Sequence, residues 1–207
     1  MDIDTAKKEL AYYMRRLYRQ KLTTTLGGNL SMRLDDGNII ITPSATDKGR
    51  MKGSEIGMMD LEGNIIGQPF KPSIETEMHL NIYRLRPDVN AVVHAHPVTV
   101  CAFAAASAEI NCNLIIESSV MLGKINYADY HYMGTQELAD AVGEASKTAN
   151  AMIMKNHGGI TVGRNFLEAF ERLEVMENAA KMTLIAEGSL KNHLTPLSDE
   201  QIEAFTK

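Results

Sequence analysis

The chain has 207 residues, of which 44% are apolar, and this size and composition suit one globular domain with a substantial core. Its formal charge of −5 and the absence of any basic run argue against a nucleic-acid partner. Residues 1–20 lack the apolar core of a secretion signal, and no stretch approaches the roughly 18 apolar residues of a membrane-spanning helix. We therefore expect a cytoplasmic protein that keeps Cys101 and Cys112 reduced.

Hydrophobic periodicity and turn residues predict helices and strands along the whole chain. The predicted helices cover residues 4–20, 72–85, 98–107, 134–147, 165–187 and 197–205. The predicted strands cover residues 30–34, 38–41, 56–61, 64–66, 91–93, 114–116, 124–127, 151–155 and 160–162. Hairpins at the front and helices between the later strands predict one α/β domain over residues 1–207, with a central, largely antiparallel mixed sheet flanked by helices.

Two histidines at the end of a predicted strand form the most specific pattern. In Val93-His94-Ala95-His96-Pro97 the histidines occupy positions i and i+2, which project to the same face of a strand, so both imidazoles can bind one metal ion. Zinc favours imidazole nitrogen, and catalytic zinc sites commonly use three protein ligands and leave one position open. The spacing alone is equally compatible with a pair of satisfied or exposed histidines.

His157 is the candidate for a third ligand. It follows the apolar strand at 151–155 and precedes Gly158-Gly159, where backbone can approach a ligand closely. Taken alone, a histidine in this position is more typical of a turn. The remaining histidines are weaker candidates, because His79 is expected to pair with Glu75 on one helix face, and the other two lie in a loop and a polar tail, at His131 and His193.

Glu75 and two short loops complete the set of candidate site segments. Glu75 lies at the start of a predicted helix, where a carboxylate is electrostatically favoured in any protein, so a purely structural role stays open. Gly27-Gly28-Asn29 and Thr42-Pro43-Ser44-Ala45 offer flexible backbone and hydroxyl groups, the components of a phosphate cradle. Neither loop matches a Walker or dinucleotide pattern, and each is also typical of a plain turn.

Read together, these segments resemble the class II aldolase/adducin family, and especially its L-fuculose-phosphate aldolase branch. The matching segments occur in family order and span nearly the whole chain. They are Gly27 to Ser31, Ile41 to Ser44, Pro72 to Glu75, Arg86 to His96, Tyr130 to Thr135, and Asn156 to Gly158. The resemblance implies the family fold, a central antiparallel-rich sheet flanked by helices.

The resemblance also implies a role for each candidate residue. It implies one zinc ion per subunit, with the ligands His94, His96, His157 and Glu75. In such aldolases the glutamate also serves as the catalytic acid/base. The positions at which the family binds substrate phosphate correspond here to Gly28, Asn29, Ser44, Ala45 and Ser73.

Tyr130 matches a tyrosine that family members supply to a neighbouring subunit as a proton donor. The resemblance therefore implies a homotetramer with active sites between subunits. It also implies a small-molecule sugar phosphate as the substrate, and neither nucleic acid nor a membrane is expected as a partner.

Three departures from the family pattern bear on substrate specificity more than on reaction class. Ile74 replaces a hydroxyl residue that often precedes the glutamate, and Ser44-Ala45 replaces a threonine–glycine pair. The fuculose-phosphate enzymes also carry a tyrosine in a mobile C-terminal tail, whereas this sequence has no tyrosine after Tyr132.

The expected activity is that of a zinc-dependent aldehyde-lyase. It would cleave a ketose 1-phosphate, such as L-fuculose 1-phosphate, reversibly to dihydroxyacetone phosphate and an aldehyde. Asp129 and His131, which flank Tyr130, keep L-ribulose-5-phosphate 4-epimerase open as an alternative. A sugar-phosphate dehydratase or decarboxylase on the same scaffold also stays open. A non-catalytic adducin-like module is disfavoured, because all three histidines and Glu75 are present.

Overall fold

One seven-stranded sheet organises the computed structural model, which describes residues 2–106 and 108–206. The order across the sheet is β3-β2-β1-β4-β7-β6-β5. The strands are β1 Asn29–Arg33, β2 Ile39–Ile41, β3 Gly57–Met59, β4 Ala91–Ala95, β5 Ile125–Ala128, β6 Ala151–Met154 and β7 Gly158–Gly163. Every neighbouring pair is antiparallel except β5 and β6. The predicted α/β fold with a largely antiparallel mixed sheet is confirmed.

Seven α-helices lie among the described residues. They are α1 Ile3–Arg19, α2 Thr76–Leu85, α3 Val98–Ala104, α4 Ile116–Leu122, α5 Gln136–Ser146, α6 Phe166–Ser189 and α7 Asp199–Thr206. Side chains cap four of them, with Asp2, Thr135 and Asn165 accepting from backbone N–H groups and Ser198 exchanging hydrogen bonds with Gln201. None of the helices in the described part of the chain is long and apolar enough to cross a membrane.

The sheet separates two apolar cores, because successive side chains of a strand point to opposite faces. On one face, alternate residues of β4, namely Ala91, Val93 and Ala95, pack with α1, α3 and α6. On the other face, Val92 packs with α2 and α5. Since both faces of β4 are covered, its end is a rigid platform in the middle of the molecule.

Three predicted elements differ from the structure. Residues 114–116 do not form a strand, because the Ser118 and Ser119 hydroxyls donate to the Cys112 carbonyl and stabilise the turn that leads into α4. The strand predicted at 64–66 is reduced to one bridge between Ile65 and Met59. The helix predicted from residue 72 begins at Thr76. The end of the predicted helix 98–107 falls partly outside the described residues.

Candidate active site

Three neighbouring strands bring the candidate site residues to one end of the sheet. In the antiparallel pair β1–β4, Asn29 lies opposite His94. His96 follows the last residue of β4, and β4 pairs on its other side with β7. His157 lies in the turn between β6 and β7. Residues that are distant in sequence therefore converge because of the register of these strands.

The imidazoles of His94, His96 and His157 form one cluster. Their ligand nitrogens all lie within 4.8 Å of one another. The Nδ1 atom of His94 contacts the Gly159 carbonyl at 2.9 Å and therefore carries the proton, which leaves a lone pair on Nε2. Burial lowers the pKa of His94, and it lowers the pKa of His96 to about 3. Lowered pKa values favour the neutral imidazole, which is the state that binds metal.

The atoms of this cluster fit a metal ion. Among the described residues, the Nε2 atoms of His94 and His96 are buried without a hydrogen-bond partner. Buried polar atoms are almost always satisfied, so two such nitrogens in one cluster indicate a ligand. Neutral imidazole nitrogens suit zinc and other transition-metal ions. The His94, His96 and His157 group could therefore hold a metal ion.

Glu75 lies beside the histidine cluster, at the position just before α2. Its side chain is 6% exposed, with Oε1 3.0 Å from His157 Nε2 and Oε2 3.4 Å from His94 Nε2. Burial by itself raises the pKa of Glu75, but His94, His157 and the hydrogen bond from Asn29 outweigh it and hold that pKa well below its usual range. The carboxylate is thus ionised next to the three imidazoles.

The predicted phosphate residues adjoin Glu75. The Nδ2 atom of Asn29 donates to Glu75 Oε2 at 2.7 Å and to Ser73 Oγ at 3.1 Å. The loop that carries Ser44 and Ala45 is joined to the segment before Ser73 by a hydrogen bond from the Ser44 N–H to the Lys71 carbonyl. The structure therefore brings Asn29 and Ser73 into direct contact with Glu75 and holds the Ser44–Ala45 loop next to them.

Two residues in these loops have left-handed backbone. Gly28 has φ +71°, and a Cβ there would lie 2.8 Å from the His94 carbonyl oxygen, so the close approach of this loop to β4 requires glycine. Ala45 has φ +55°, in the region that glycine adopts without strain. The alanine at this position therefore keeps the loop conformation at a small conformational cost.

Tyr130 lies on the loop after β5 and is 53% exposed, with its ring centroid 5.8 Å from that of Tyr132. The contacts recorded for the described residues do not join it to Glu75. Its loop nevertheless touches the glutamate segment, since a Cβ on Gly134 would lie 3.0 Å from the Ile74 carbonyl oxygen. A role for Tyr130 in a neighbouring subunit's site stays a prediction.

Two buried polar residues around the site were not predicted from the sequence. His79 does not pair with Glu75, because Glu75 precedes α2, and the His79 ring instead contacts Asn29 and Ser31. Lys48 is the second residue, and it is 2% exposed. A lone lysine in a polar stretch carries no sequence signal of burial, whereas His79 shares a predicted helix with apolar neighbours.

Lys48 joins two of the candidate phosphate loops. Its Nζ donates to the Pro43 carbonyl at 3.0 Å, and its backbone N–H donates to the Thr25 carbonyl at 2.9 Å. Burial lowers the pKa of the Lys48 ammonium to about 8, against the weaker opposing effect of Glu55. The lysine therefore links the loop before Gly27 to the loop that carries Ser44, and it does so as a cation that is costly to bury.

Replacing Lys48 by methionine is expected to stabilise the fold at neutral pH. The folded state holds the Lys48 proton less tightly than the unfolded state, so stability rises as the pH goes from about 8 to 10.5. Below pH 8, burial of the ammonium costs the wild type about 3 kcal/mol of folding free energy. The methionine variant avoids this cost but loses a hydrogen bond worth about 1 kcal/mol. Urea denaturation of both proteins across this pH range measures the difference.

The exposed Lys52 provides the matched control, because Lys52→Met removes a nearby charge without changing a buried one. The stability advantage of Lys48→Met over the wild type should shrink toward alkaline pH, while Lys52→Met tracks the wild type. A constant gap between Lys48→Met and wild type over the whole range would show that the ammonium is not held at a lowered pKa.

Comparisons with known proteins agree with this fold. The family model of the class II aldolase and adducin N-terminal domain matches residues 8–184. The chain is 36% identical to the L-fuculose phosphate aldolase of Methanocaldococcus jannaschii over 179 residues, covering 86% of this chain and 96% of that protein. It is also 30% identical to the 3-oxo-tetronate 4-phosphate decarboxylase of Haemophilus influenzae over 206 residues, covering 97% of each.

A solved L-fuculose 1-phosphate aldolase shares the fold. The two structures superpose with a TM-score of 0.87 at 32% identity, over 97% of this chain and 96% of that one. The chain therefore belongs to the class II aldolase/adducin family, and it is an enzyme of the lyase class. Class II aldolases are metal-dependent, in agreement with the histidine group that could bind a metal ion.

Proposed function

We propose that this enzyme is a zinc-dependent class II aldolase. It cleaves a ketose 1-phosphate, similar to L-fuculose 1-phosphate, reversibly to dihydroxyacetone phosphate and an aldehyde. The observation that carries the proposal is the position of the Glu75 carboxylate, which contacts His94 and His157 on one side and Asn29 on the other. Cleavage of a phosphorylated ketose needs an acid/base group that lies between a metal-binding histidine cluster and an anion-binding edge.

His94, His96 and His157 are the proposed zinc ligands, and Glu75 completes the set in the resting enzyme. Bound zinc supplies Lewis-acid stabilisation of the negative charge that develops on substrate oxygens when the carbon–carbon bond breaks. The Gly159 carbonyl orients the His94 ring through Nδ1, so that Nε2 faces the cluster. The protein thus fixes the ligands before the substrate arrives.

The phosphate group is proposed to bind at the edge formed by Asn29, Ser73 and the loops around Gly28 and Ser44–Ala45. Asn29 and Ser73 offer N–H and hydroxyl donors next to Glu75. Because phosphate and reacting carbons are joined covalently in the substrate, holding the phosphate there positions those carbons beside the carboxylate. Lys48 adds positive charge behind the Ser44–Ala45 loop.

Glu75 and Tyr130 are the proposed proton carriers. In the direction of bond formation, a Glu75 carboxylate oxygen takes a proton from the hydroxymethyl carbon of dihydroxyacetone phosphate. That carbon then bonds to the aldehyde carbon, and the Tyr130 hydroxyl of a neighbouring subunit gives its proton to the aldehyde oxygen. Cleavage follows the same steps in reverse, with the two protons returned. Protons and electron pairs balance without a redox partner.

A homotetramer is proposed, because Tyr130 then reaches an active site across a subunit interface. The loop that carries Tyr130 exposes two further large side chains, Tyr132 and Met133. Exposed aromatic and apolar groups in one loop suit a protein–protein contact. Sedimentation analysis together with mixing of inactive Glu75 and Tyr130 variants reports both the assembly and the sharing of sites.

A carboxy-lyase is the second candidate, because the decarboxylase relative aligns over 97% of both chains. Decarboxylation of a 3-oxo sugar-acid phosphate also leaves negative charge next to a carbonyl group. The same metal ligands and phosphate edge therefore serve either reaction. The two reactions differ in the group that leaves, an aldehyde in one case and carbon dioxide in the other.

Product analysis tests the proposal directly. Zinc-loaded enzyme is incubated with L-fuculose 1-phosphate, L-rhamnulose 1-phosphate, L-ribulose 5-phosphate and a 3-oxo-tetronate 4-phosphate. We expect release of dihydroxyacetone phosphate from at least one ketose 1-phosphate. If only the 3-oxo acid reacts, with release of carbon dioxide, the enzyme is a decarboxylase and not an aldolase. If only L-ribulose 5-phosphate reacts, giving D-xylulose 5-phosphate, the enzyme is an epimerase.

A further inference from the structure

A buried chain of hydrogen bonds runs from Tyr83 to the candidate active site. The Tyr83 hydroxyl lies 2.9 Å from Ser31 Oγ, and Ser31 Oγ lies 2.6 Å from His79 Nδ1. On the other side of the ring, His79 Nε2 lies 2.5 Å from Asn29 Oδ1. Tyr83, Ser31 and His79 are all buried, so this chain is shielded from exchange with water. We refer to Tyr83, Ser31 and His79 as the relay.

Asn29, at the end of this series of hydrogen bonds, determines the direction of every hydrogen bond in the series. Asn29 Nδ2 donates to Glu75 Oε2 and to Ser73 Oγ, and these contacts use both of its hydrogens. Asn29 Oδ1 must therefore accept, so His79 carries its proton on Nε2. The unprotonated Nδ1 of His79 then accepts from the Ser31 hydroxyl, which in turn accepts from Tyr83.

The alternative orientation of Asn29 is unfavourable. A rotated amide would place Oδ1 against the Glu75 carboxylate, 2.7 Å away at the present Nδ2 position, whichever tautomer His79 adopts. Two acceptors would then face each other in a buried site. Burial also lowers the pKa of His79 to about 3, so the ring stays neutral and keeps one donor and one acceptor.

We propose that His79 is a positioning residue whose Nε2–H holds the Asn29 amide with both of its N–H donors directed at Glu75 and Ser73. The inference rests on the proposed function where it concerns phosphate and proton transfer. In the substrate-free enzyme those donors orient the Glu75 carboxylate. In the complex, the same donors face the edge where the phosphate is proposed to bind. The relay thus orients the Asn29 amide toward the Glu75 carboxylate in the free enzyme and toward the substrate phosphate in the complex.

The tautomer of His79 is measurable without any assay of activity. Two-bond proton–nitrogen correlation spectra of the full-length, zinc-loaded protein labelled with ¹⁵N-histidine distinguish the two neutral tautomers and the cation, and a His79→Gln variant identifies the signal. We expect the neutral form with the proton on Nε2 from about pH 5.5 to about 8.5, whereas an ordinary histidine titrates within this range. A proton on Nδ1, or protonation of His79 within this range, would overturn the inference.

Two substitutions separate positioning from simple packing. His79→Leu fills space but offers no donor, and His79→Gln can still donate to Asn29 Oδ1 from its amide. We expect His79→Leu to weaken binding of inorganic phosphate, and to raise KM for the phosphorylated substrate, by about 10- to 100-fold. His79→Gln should stay within about threefold of wild type. Equal impairment of the two variants, or unchanged phosphate binding in His79→Leu, would refute the positioning role.

Thr183→Val is the matched control for loss of a buried hydrogen bond away from the site. Thr183 lies in α6, and its hydroxyl donates to the Ala179 carbonyl. This variant should bind phosphate like the wild type at a similar loss of stability, which separates a general effect on folding from the relay. Failure of the enzyme to cleave any ketose phosphate would refute the proposed function, while the tautomer and phosphate-binding results would still decide the relay.

Discussion

Glu75→Gln is expected to lower turnover by about 100- to 10,000-fold, the range contributed by a positioned acid/base group. The amide has the shape of the carboxylate. Its oxygen can still accept from Asn29, so the contact that orients this side chain is kept. The amide cannot take a proton from carbon. At saturating zinc, where the three histidines still hold the ion, the loss should therefore appear mainly in kcat, with phosphate affinity retained.

Glu77→Gln provides the control for this result. Glu77 lies two residues further along, in α2, and its half-exposed carboxylate pairs with Arg84 on the helix surface. Kinetics and metal analysis of the two variants, side by side with wild type, should show a loss in the first variant and near wild-type rates in the second. Wild-type turnover in Glu75→Gln would remove Glu75 from the mechanism.

Removal of one imidazole from the histidine cluster should abolish stoichiometric zinc binding. His94→Ala leaves two imidazoles and a carboxylate. It also opens a cavity at a fully buried position. Loss of residues that merely orient a ligand weakens metal affinity 10- to 100-fold, so we expect at least about 100-fold for loss of a ligand itself. Equilibrium dialysis against zinc followed by elemental analysis measures the change.

Zinc-dependent thermal stabilisation gives an independent readout of the same site. A metal ion at about 100 times its Kd adds about 2.7 kcal/mol to the stability of the folded state. The wild type and the control His193→Ala, which changes an exposed histidine in the turn after α6, should both show the increase. His94→Ala should not. Retained stabilisation in His94→Ala, at wild-type zinc concentrations, would place the metal elsewhere.

The part of the site carried by local pattern was predictable from the sequence. The i, i+2 spacing of His94 and His96 needed only a strand, and β4 supplies it. A glycine-flanked turn after an apolar strand made His157 a candidate, and the resemblance to the family supported its role as a third ligand. The resemblance to the aldolase family added Glu75 and the phosphate residues. The structure places Asn29, Ser73 and Glu75 in contact, and their roles stay predictions.

The contacts that depend on strand register were not predictable. Asn29 meets Glu75 because β1 pairs with β4 so that Asn29 lies opposite His94, and no local pattern specifies that pairing. The relay also depends on this register, since Ser31 and His79 are 48 positions apart in sequence. The α4 helix was not predicted either. The turn that leads into it is stabilised by hydrogen bonds from Ser118 and Ser119 to the Cys112 carbonyl, which lies outside the helix.

The most direct test of the central claim is proton exchange at the hydroxymethyl carbon of dihydroxyacetone phosphate in D₂O. This half-reaction needs the metal, the phosphate edge and Glu75, but it needs no knowledge of the aldehyde. We predict that zinc-loaded enzyme exchanges one of the two hydrogens on this carbon, that a chelator stops the exchange, and that added zinc restores it. The absence of exchange by zinc-loaded enzyme, or exchange that persists after complete removal of metal, would contradict the assignment of a metal-dependent aldolase.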